Sequence, residues 1–151
     1  MAHVTHDALT GLANRESFLA HLRRRLGDRE RVSIAVLVFD VKGFAAVNDR
    51  RGHGAGDRVL REIAVRLEGA LRATDVVART GGDEFGALCL GVSEEEALAL
   101  ARSAASAVTP PIALDGVTLE VEVHTAVAAL ASDAPAPDAE AFLAEAEARI
   151  R

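Results

Sequence analysis

Residues Val32–Asp40 read Val-Ser-Ile-Ala-Val-Leu-Val-Phe-Asp, apolar and β-branched almost without interruption. A strand with one wet face alternates, whereas a run like this belongs to a strand covered on both faces. The chain must therefore put other layers on either side of it, which restricts it to stacked architectures. The run closes on a carboxylate, Asp40, and carboxylates are seldom buried without a partner. Asp40 is thus expected at the exposed end of the strand.

A second stretch, Asp75–Leu90, carries two more apolar runs, Val76–Ala78 and Phe85–Leu90, around Thr80-Gly81-Gly82-Asp83-Glu84. Strand-length runs on both sides of a Gly-Gly predict a β-hairpin. Neighbouring strand residues point to opposite faces, so Asp83 and Glu84 should diverge towards different partners. Taken alone, a solvated acidic turn is the simpler reading. With Asp40 ending an adjacent strand, the acids would instead make an oxygen-rich cation site. Mg2+ commonly takes one or two protein carboxylates and completes its shell with substrate phosphates and water.

The remaining chain supplies the covering layers. A helix is predicted from Arg15 to Leu26, with Phe18, Leu19, Leu22 and Leu26 on one face and Gly27-Asp28 as its stop. Val41–Arg51 reads as a short helix or turn, and Gly52–Gly56 as a break. A helix from Asp57 to Leu71 follows, striped by Leu60, Ile63, Ala64, Leu67 and Leu71. Ser93 and Glu96 form a capping box for a helix that runs to Val108 and is ended by Pro110-Pro111. Val117–Leu130 alternates as one half-exposed strand, with His124 on its polar side as a surface histidine. A last helix covers Asp138–Ile150. The order implies an α+β fold, with residues 1–6 as an N-terminal tail and residues 7–151 as one domain.

Composition narrows the functional classes. A chain of 151 residues, half of them hydrophobic, can bury a real core. Its net charge of −6 argues against non-specific nucleic-acid binding. The single cysteine, Cys89, excludes an internal disulfide and lies in a strand run as an inert core thiol. No apolar stretch is long enough to span a bilayer and no signal peptide is visible, so a soluble cytoplasmic protein with no membrane insertion is expected.

Gly81-Gly82-Asp83-Glu84-Phe85 resembles the signature of the GGDEF family, whose active members are diguanylate cyclases. Asp7-Ala-Leu-Thr-Gly-Leu-Ala-Asn-Arg15 is similar to the family's opening motif. Phe39-Asp40, Phe44, Asn48-Asp49 and Gly52-His53-Gly54-Ala55-Gly56-Asp57 follow in matching order and spacing. The resemblance runs from about residue 7 to the end of the sequence. It implies a palm-like, ferredoxin-related sheet of antiparallel or mixed strands flanked by helices, similar to nucleotidyl cyclases. It also implies that two GTP are joined into cyclic di-GMP across a head-to-head homodimer, with Mg2+ or Mn2+ as cofactor.

By position, the resemblance makes Asp40, the Val41 carbonyl and Asp83 the metal ligands, with Glu84 assisting near the metal or the attacking hydroxyl. Asn48 and Asp57 would recognise guanine, which suits an amide and a carboxylate facing its edge. Asp57 also suits a helix cap. Arg72 and Asp75 match the family's inhibitory product site, for which a surface ion pair is the structural alternative. Phe39, Phe44 and Phe85 read as core residues shaping the site.

Two departures bear on activity. Where the family reads Asp-x-Asp-x-Phe-Lys, this chain reads Asp40-Val41-Lys42-Gly43-Phe44-Ala45. A lysine replaces the second acid, and alanine replaces a phosphate-contacting lysine. His124-Thr125-Ala126 stands where the family has Ser-x-Gly. The family's Tyr-x-Ala-Lys-x-x-Gly-Arg segment, which adds phosphate contacts, falls past Arg151. The resulting expectation is a weak cyclase, or else a degenerate module that binds GTP or cyclic di-GMP.

Overall fold

The fold was described from a computed structural model for residues 4–43 and 53–150. Phe44, Ala45, Asn48 and Asp49 lie outside the described residues, as does most of the expected turn over Val41–Arg51. The helices are α1 (Arg15–Leu26), α2 (His53–Ala70), α3 (Glu94–Val108) and α4 (Ala139–Ala148). The strands are β1 (Ala13–Asn14), β2 (Ile34–Lys42), β3 (Val76–Arg79), β4 (Glu84–Leu90), β5 (Ile112–Leu114), β6 (Val117–Leu119) and β7 (Glu122–Leu130).

Five strands form one sheet in the order β1-β3-β4-β2-β7, and β5 and β6 form a separate hairpin. β2 pairs antiparallel with β4 on one side and β7 on the other. Only the β1–β3 pair is parallel, so the sheet is mixed. The uninterrupted apolar run explains the layering. Ala35, Leu37, Phe39 and Val41 pack with Leu60, Ile63 and Leu67 of α2 and Ala97, Ala101 and Ala104 of α3. Ile34, Val36 and Val38 point the other way and pack with Phe18 and Leu22 of α1 and Phe142 and Leu143 of α4. Residues 34–39 are at most 1 % exposed, so β2 is the strand covered on both faces that its composition requires. The α+β expectation holds.

Several expected boundaries moved. β2 starts at Ile34, because Val32 is half exposed, and continues past Asp40 to Lys42. Asp40 therefore sits inside the ladder, with neighbours on both sides, and not at a free strand end. α2 begins at His53, so Gly54 and Ala55 lie in its first turn where a break was expected. None of the left-handed glycines falls there, which leaves the segment free to be helical. The single strand expected over Val117–Leu130 is two strands, and β5 was not foreseen. Asp115 (φ 51°) and Gly116 (φ 79°) turn β5 into β6, both central residues adopting the positive φ that a two-residue hairpin loop requires. Residues 4–6, read as tail, return onto β1: His6 bridges Ala13, and the Asn14 side-chain amide donates to the Val4 carbonyl at 2.9 Å.

α3 starts on its sequence signal, and α4 is capped as well. Ser93 Oγ accepts from Glu96 N–H at 3.0 Å while the Glu96 carboxylate accepts from Ser93 N–H at 3.0 Å, so the capping box closes from both sides. Asp138 caps α4 by accepting from Ala141 N–H at 3.1 Å. Among the described residues no helix is long and apolar enough to cross a membrane.

Candidate functional site

The β3–β4 turn meets the end of β2. The register places Asp40 directly opposite Glu84, and Val41 N–H donates to the Asp83 carbonyl at 2.9 Å. Thr80 and Gly81 N–H both donate to the Glu84 carbonyl, at 3.0 and 3.2 Å, which closes the turn. A Cβ at Gly81 would stand 3.3 Å from Glu84 Cβ, a tight approach that only glycine avoids. Nothing lies within 4 Å of a Cβ position at Gly82, so that backbone is open to an approaching ligand. Arg79 holds the turn from below. Its guanidinium donates to the Gly82 carbonyl at 2.7 Å and reaches Asp7 at 3.2 Å. Asp7 in turn accepts from the N–H and hydroxyl of Thr10, at 2.9 and 2.8 Å.

Glu84 sits in a more enclosed setting than its neighbour Asp83, which is exposed. Its carboxylate accepts from the Thr80 hydroxyl at 2.5 Å. Arg15, the first residue of α1, lies 4.0 Å from it and binds Glu147 of α4 with both arms of its fork, at 2.9 and 3.3 Å. The same guanidinium donates to the Thr80 carbonyl at 3.1 Å. Burial, reinforced by the neighbouring Glu147 carboxyl, pushes the Glu84 carboxyl up to about 7 against the opposing pull of Thr80 and Arg15. Burial also works to raise Glu147, but its bonds to Arg15 and Glu84 outweigh that and hold it below the usual range. Shifted in opposite directions, Glu84 holds a proton more readily than Glu147, which sits opposite Arg15. Neither Arg15 nor Glu147 was given a role from sequence. Only the opening motif, which ends on Arg15, gave a signal.

Asp40 has a different companion. Lys42 Nζ lies 2.6 Å from Asp40 Oδ2. The hydrogen bond and charge of Asp40, with the more distant charges of Asp83 and Glu122, raise the Lys42 ammonium above its usual range. A cation beside Asp40 therefore also feels Asp83. Among the described residues no three His, Cys, Asp or Glu gather into a metal cluster, so any cation here would depend on this sparse oxygen set. His124, expected at the surface, is the β7 neighbour of Asp40 and lies 3.2 Å from the Glu122 carboxylate.

The other expected site residues are more dispersed. Asn48 is outside the described residues. Asp57 is the fifth residue of α2, half buried and inside the helix, so the helix start at His53 is not capped by it. Arg72 and Asp75 meet at the far end of β4 from Glu84, roughly 20 Å away at the usual strand rise. Arg72 Nη2 donates to Asp75 Oδ1 at 2.8 Å and to the Leu90 carbonyl at 3.2 Å. The Asp75 side chain is fully buried and that of Arg72 is 42 % exposed, so the arginine is the accessible partner. Phe39 and Phe85 are core residues as expected. The buried Cys89 thiol is pushed up to about 12, first by burial and then by Asp75, and is inert.

Comparison with known proteins accords with this geometry. Residues 4–151 match the family described as "Diguanylate cyclase, GGDEF domain". The chain is 42 % identical over 144 residues to diguanylate cyclase TpbB of Pseudomonas aeruginosa, covering 92 % of this chain and 33 % of that protein. It is 38 % identical over 133 residues to the cyclic di-GMP phosphodiesterase NbdA of the same species, covering 85 % of this chain and 17 % of that one. The chain thus spans a third or less of the length of these curated relatives. The crystal structure of the TpbB GGDEF domain superposes with a TM-score of 0.84 at 39 % identity, covering 92 % of this chain and 88 % of that one. The GGDEF domain of DgcB from Caulobacter crescentus, solved in complex with c-di-GMP, gives 0.87 at 25 % identity, covering 98 % and 88 %. The mixed sheet with its flanking helices is the palm-like cyclase fold of these neighbours, and the chain belongs to the GGDEF domain family.

Proposed function

We propose that the chain is a slow diguanylate cyclase. The observation that carries this reading is the hydrogen bond from Val41 N–H to the Asp83 carbonyl, which seats the open glycine turn against β2 next to Asp40. In the reaction, the 3′-oxygen of one GTP attacks the α-phosphorus of another. A P–O bond forms, the bond to the β-phosphate breaks, pyrophosphate leaves and the hydroxyl proton is released. Repeating the step in the opposite sense closes cyclic di-GMP, with each subunit of a head-to-head homodimer holding one GTP.

The residues present fit a hard divalent cation, since the donors are oxygens and an ammonium is already drawn to them. Asp40, the Val41 carbonyl and Asp83 would hold Mg2+ or Mn2+. When bound, such an ion neutralises charge on the phosphates and the leaving oxygen. Gly82 leaves room for the nucleotide to approach the backbone. Glu84, its carboxyl pushed up to about 7, would in its ionised form take up the proton that the attacking hydroxyl loses. Asn48 and Asp57 would bind guanine.

The missing lysine at Ala45 and the lysine beside Asp40 favour a second reading, a module that binds GTP or cyclic di-GMP without turnover. Production of cyclic di-GMP from Mg2+ and GTP, followed by chromatography, separates the two. Ala45→Lys should restore one charge-assisted phosphate contact, worth about 1.5–3 kcal/mol, and raise the rate about tenfold or more. If wild type and Ala45→Lys both make no product while binding nucleotide, the binding-module reading replaces the cyclase.

At the distal end of β4, Arg72 and Asp75 would form the inhibitory product site. Arg72→Ala should weaken cyclic di-GMP binding about ten- to a hundredfold, the cost of one charged contact. Calorimetry returning equal affinities for the two proteins would leave Arg72–Asp75 a surface ion pair.

A further inference from the structure

We propose that Lys42 is a resident cation of the Asp40–Asp83 site, standing where a divalent ion would stand and leaving only when metal arrives together with nucleotide. This rests on the reading of Asp40 and Asp83 as the metal site. Asp40 and Lys42 are two residues apart on β2 and so share one face of the sheet. Their 2.6 Å contact is at the short end for a charge-assisted hydrogen bond. Glu122 is the partner of Lys42 across the β7 ladder, and the ammonium feels the charge of Asp83 from the turn. It does for this acidic corner what a metal would do, with one charge in place of two.

Lys42 is nevertheless not locked in. Its side chain is 47 % exposed while that of Asp40 is 19 % exposed, so the lysine lies on the solvent side of the pair with a free path outward. Two cations cannot share one small oxygen set without strong repulsion. Free metal must therefore expel the ammonium and compete with an internal ligand that is never diluted. A metal–nucleotide complex meets a lower barrier, because its phosphates offer the displaced ammonium another anion. The consequence is ordered loading, in which metal and nucleotide enter together.

Mn2+ binding to the full chain without nucleotide, followed by electron paramagnetic resonance, tests this without recourse to turnover. Lys42→Asn should bind Mn2+ about tenfold or more tighter than wild type, because an opposing charge is gone. Lys42→Arg, which keeps the charge, should bind as weakly as wild type. Adding Asp40→Asn to Lys42→Asn should remove the gain, which ties the effect to the carboxylate. With GTP present, the difference between wild type and Lys42→Asn should shrink. Equal Mn2+ affinity of wild type and Lys42→Asn without nucleotide overturns the role of Lys42 and leaves the metal site standing. No Mn2+ binding by any variant, with or without GTP, overturns the metal site itself and this proposal with it.

Discussion

Asp83→Ala is expected to lower cyclic di-GMP production about a thousandfold while folding normally. The two halves of this expectation come from different atoms of one residue. The Asp83 carbonyl is structural, since it accepts from Val41 N–H and ties the turn to β2, and alanine keeps it. The side chain is exposed, and exposed substitutions of this kind shift stability by about 0.5 kcal/mol or less. If the carboxylate holds the metal, its removal should lower the rate by roughly three orders of magnitude, in line with losing a main electrostatic contact in a site that works by charge stabilisation. Thermal melting and a product assay on the same sample check both halves. A variant that melts like wild type and still works at about a tenth of its rate takes Asp83 out of the reacting centre.

The second large effect is on stability. Phe18 is fully buried on the inner face of α1, within the cluster formed with β2 and α4. Gly86 lies opposite: a Cβ there would come within 3.6 Å of the Phe18 ring and 3.0 Å of Thr80 Cγ2, so the ring packs directly over the bare strand backbone. Phe18→Ala leaves a cavity that neither the glycine nor the sheet can fill, and should cost about 3–5 kcal/mol. That is a large share of the roughly 5–15 kcal/mol that holds a domain together. The same change loosens α1, which carries Arg15 to Thr80 and Glu147, so turnover should fall beyond the loss of folded protein. Urea denaturation gives the first number. A shift below about 1 kcal/mol would mean that the α1 packing is not what seats the turn.

Much of this fold was legible because its signals are local. The Ser93–Glu96 box, the Pro110-Pro111 stop and the apolar run of β2 each act within a few residues; α3 formed where they indicated, and β2 formed with both ends two residues further on. The errors arose where a local cue was overruled or passed over. Glycines near residue 54 suggested a break, yet helical backbone there needs no positive φ, and α2 absorbed them. Asp115-Gly116 is a hairpin signal that alternation across Val117–Leu130 obscured. Asp40 closes its apolar run and the β4 ladder, but β2 continues because Val123 and Glu122 of β7 pair with Val41 and Lys42. In the candidate site, the family resemblance named the acids, while the contacts that hold Glu84 came from residues with no shared pattern. Nothing in the spacing of Arg15, Thr80 and Glu147 announces that they meet.

That meeting also bears on the order in which the molecule completes itself. The Arg79–Asp7 and Arg15–Glu147 contacts close loops of 72 and 132 residues, nearly the whole chain in the second case. Closures of such length come late on a folding route, after hairpins and helices built from near neighbours. The β3–β4 hairpin can form early on its own residues, but the Arg15–Glu147 contact beside Glu84 exists only once α4 has docked. An isolated hairpin peptide would therefore carry the signature without its environment, and a nascent chain would acquire the two in separate steps.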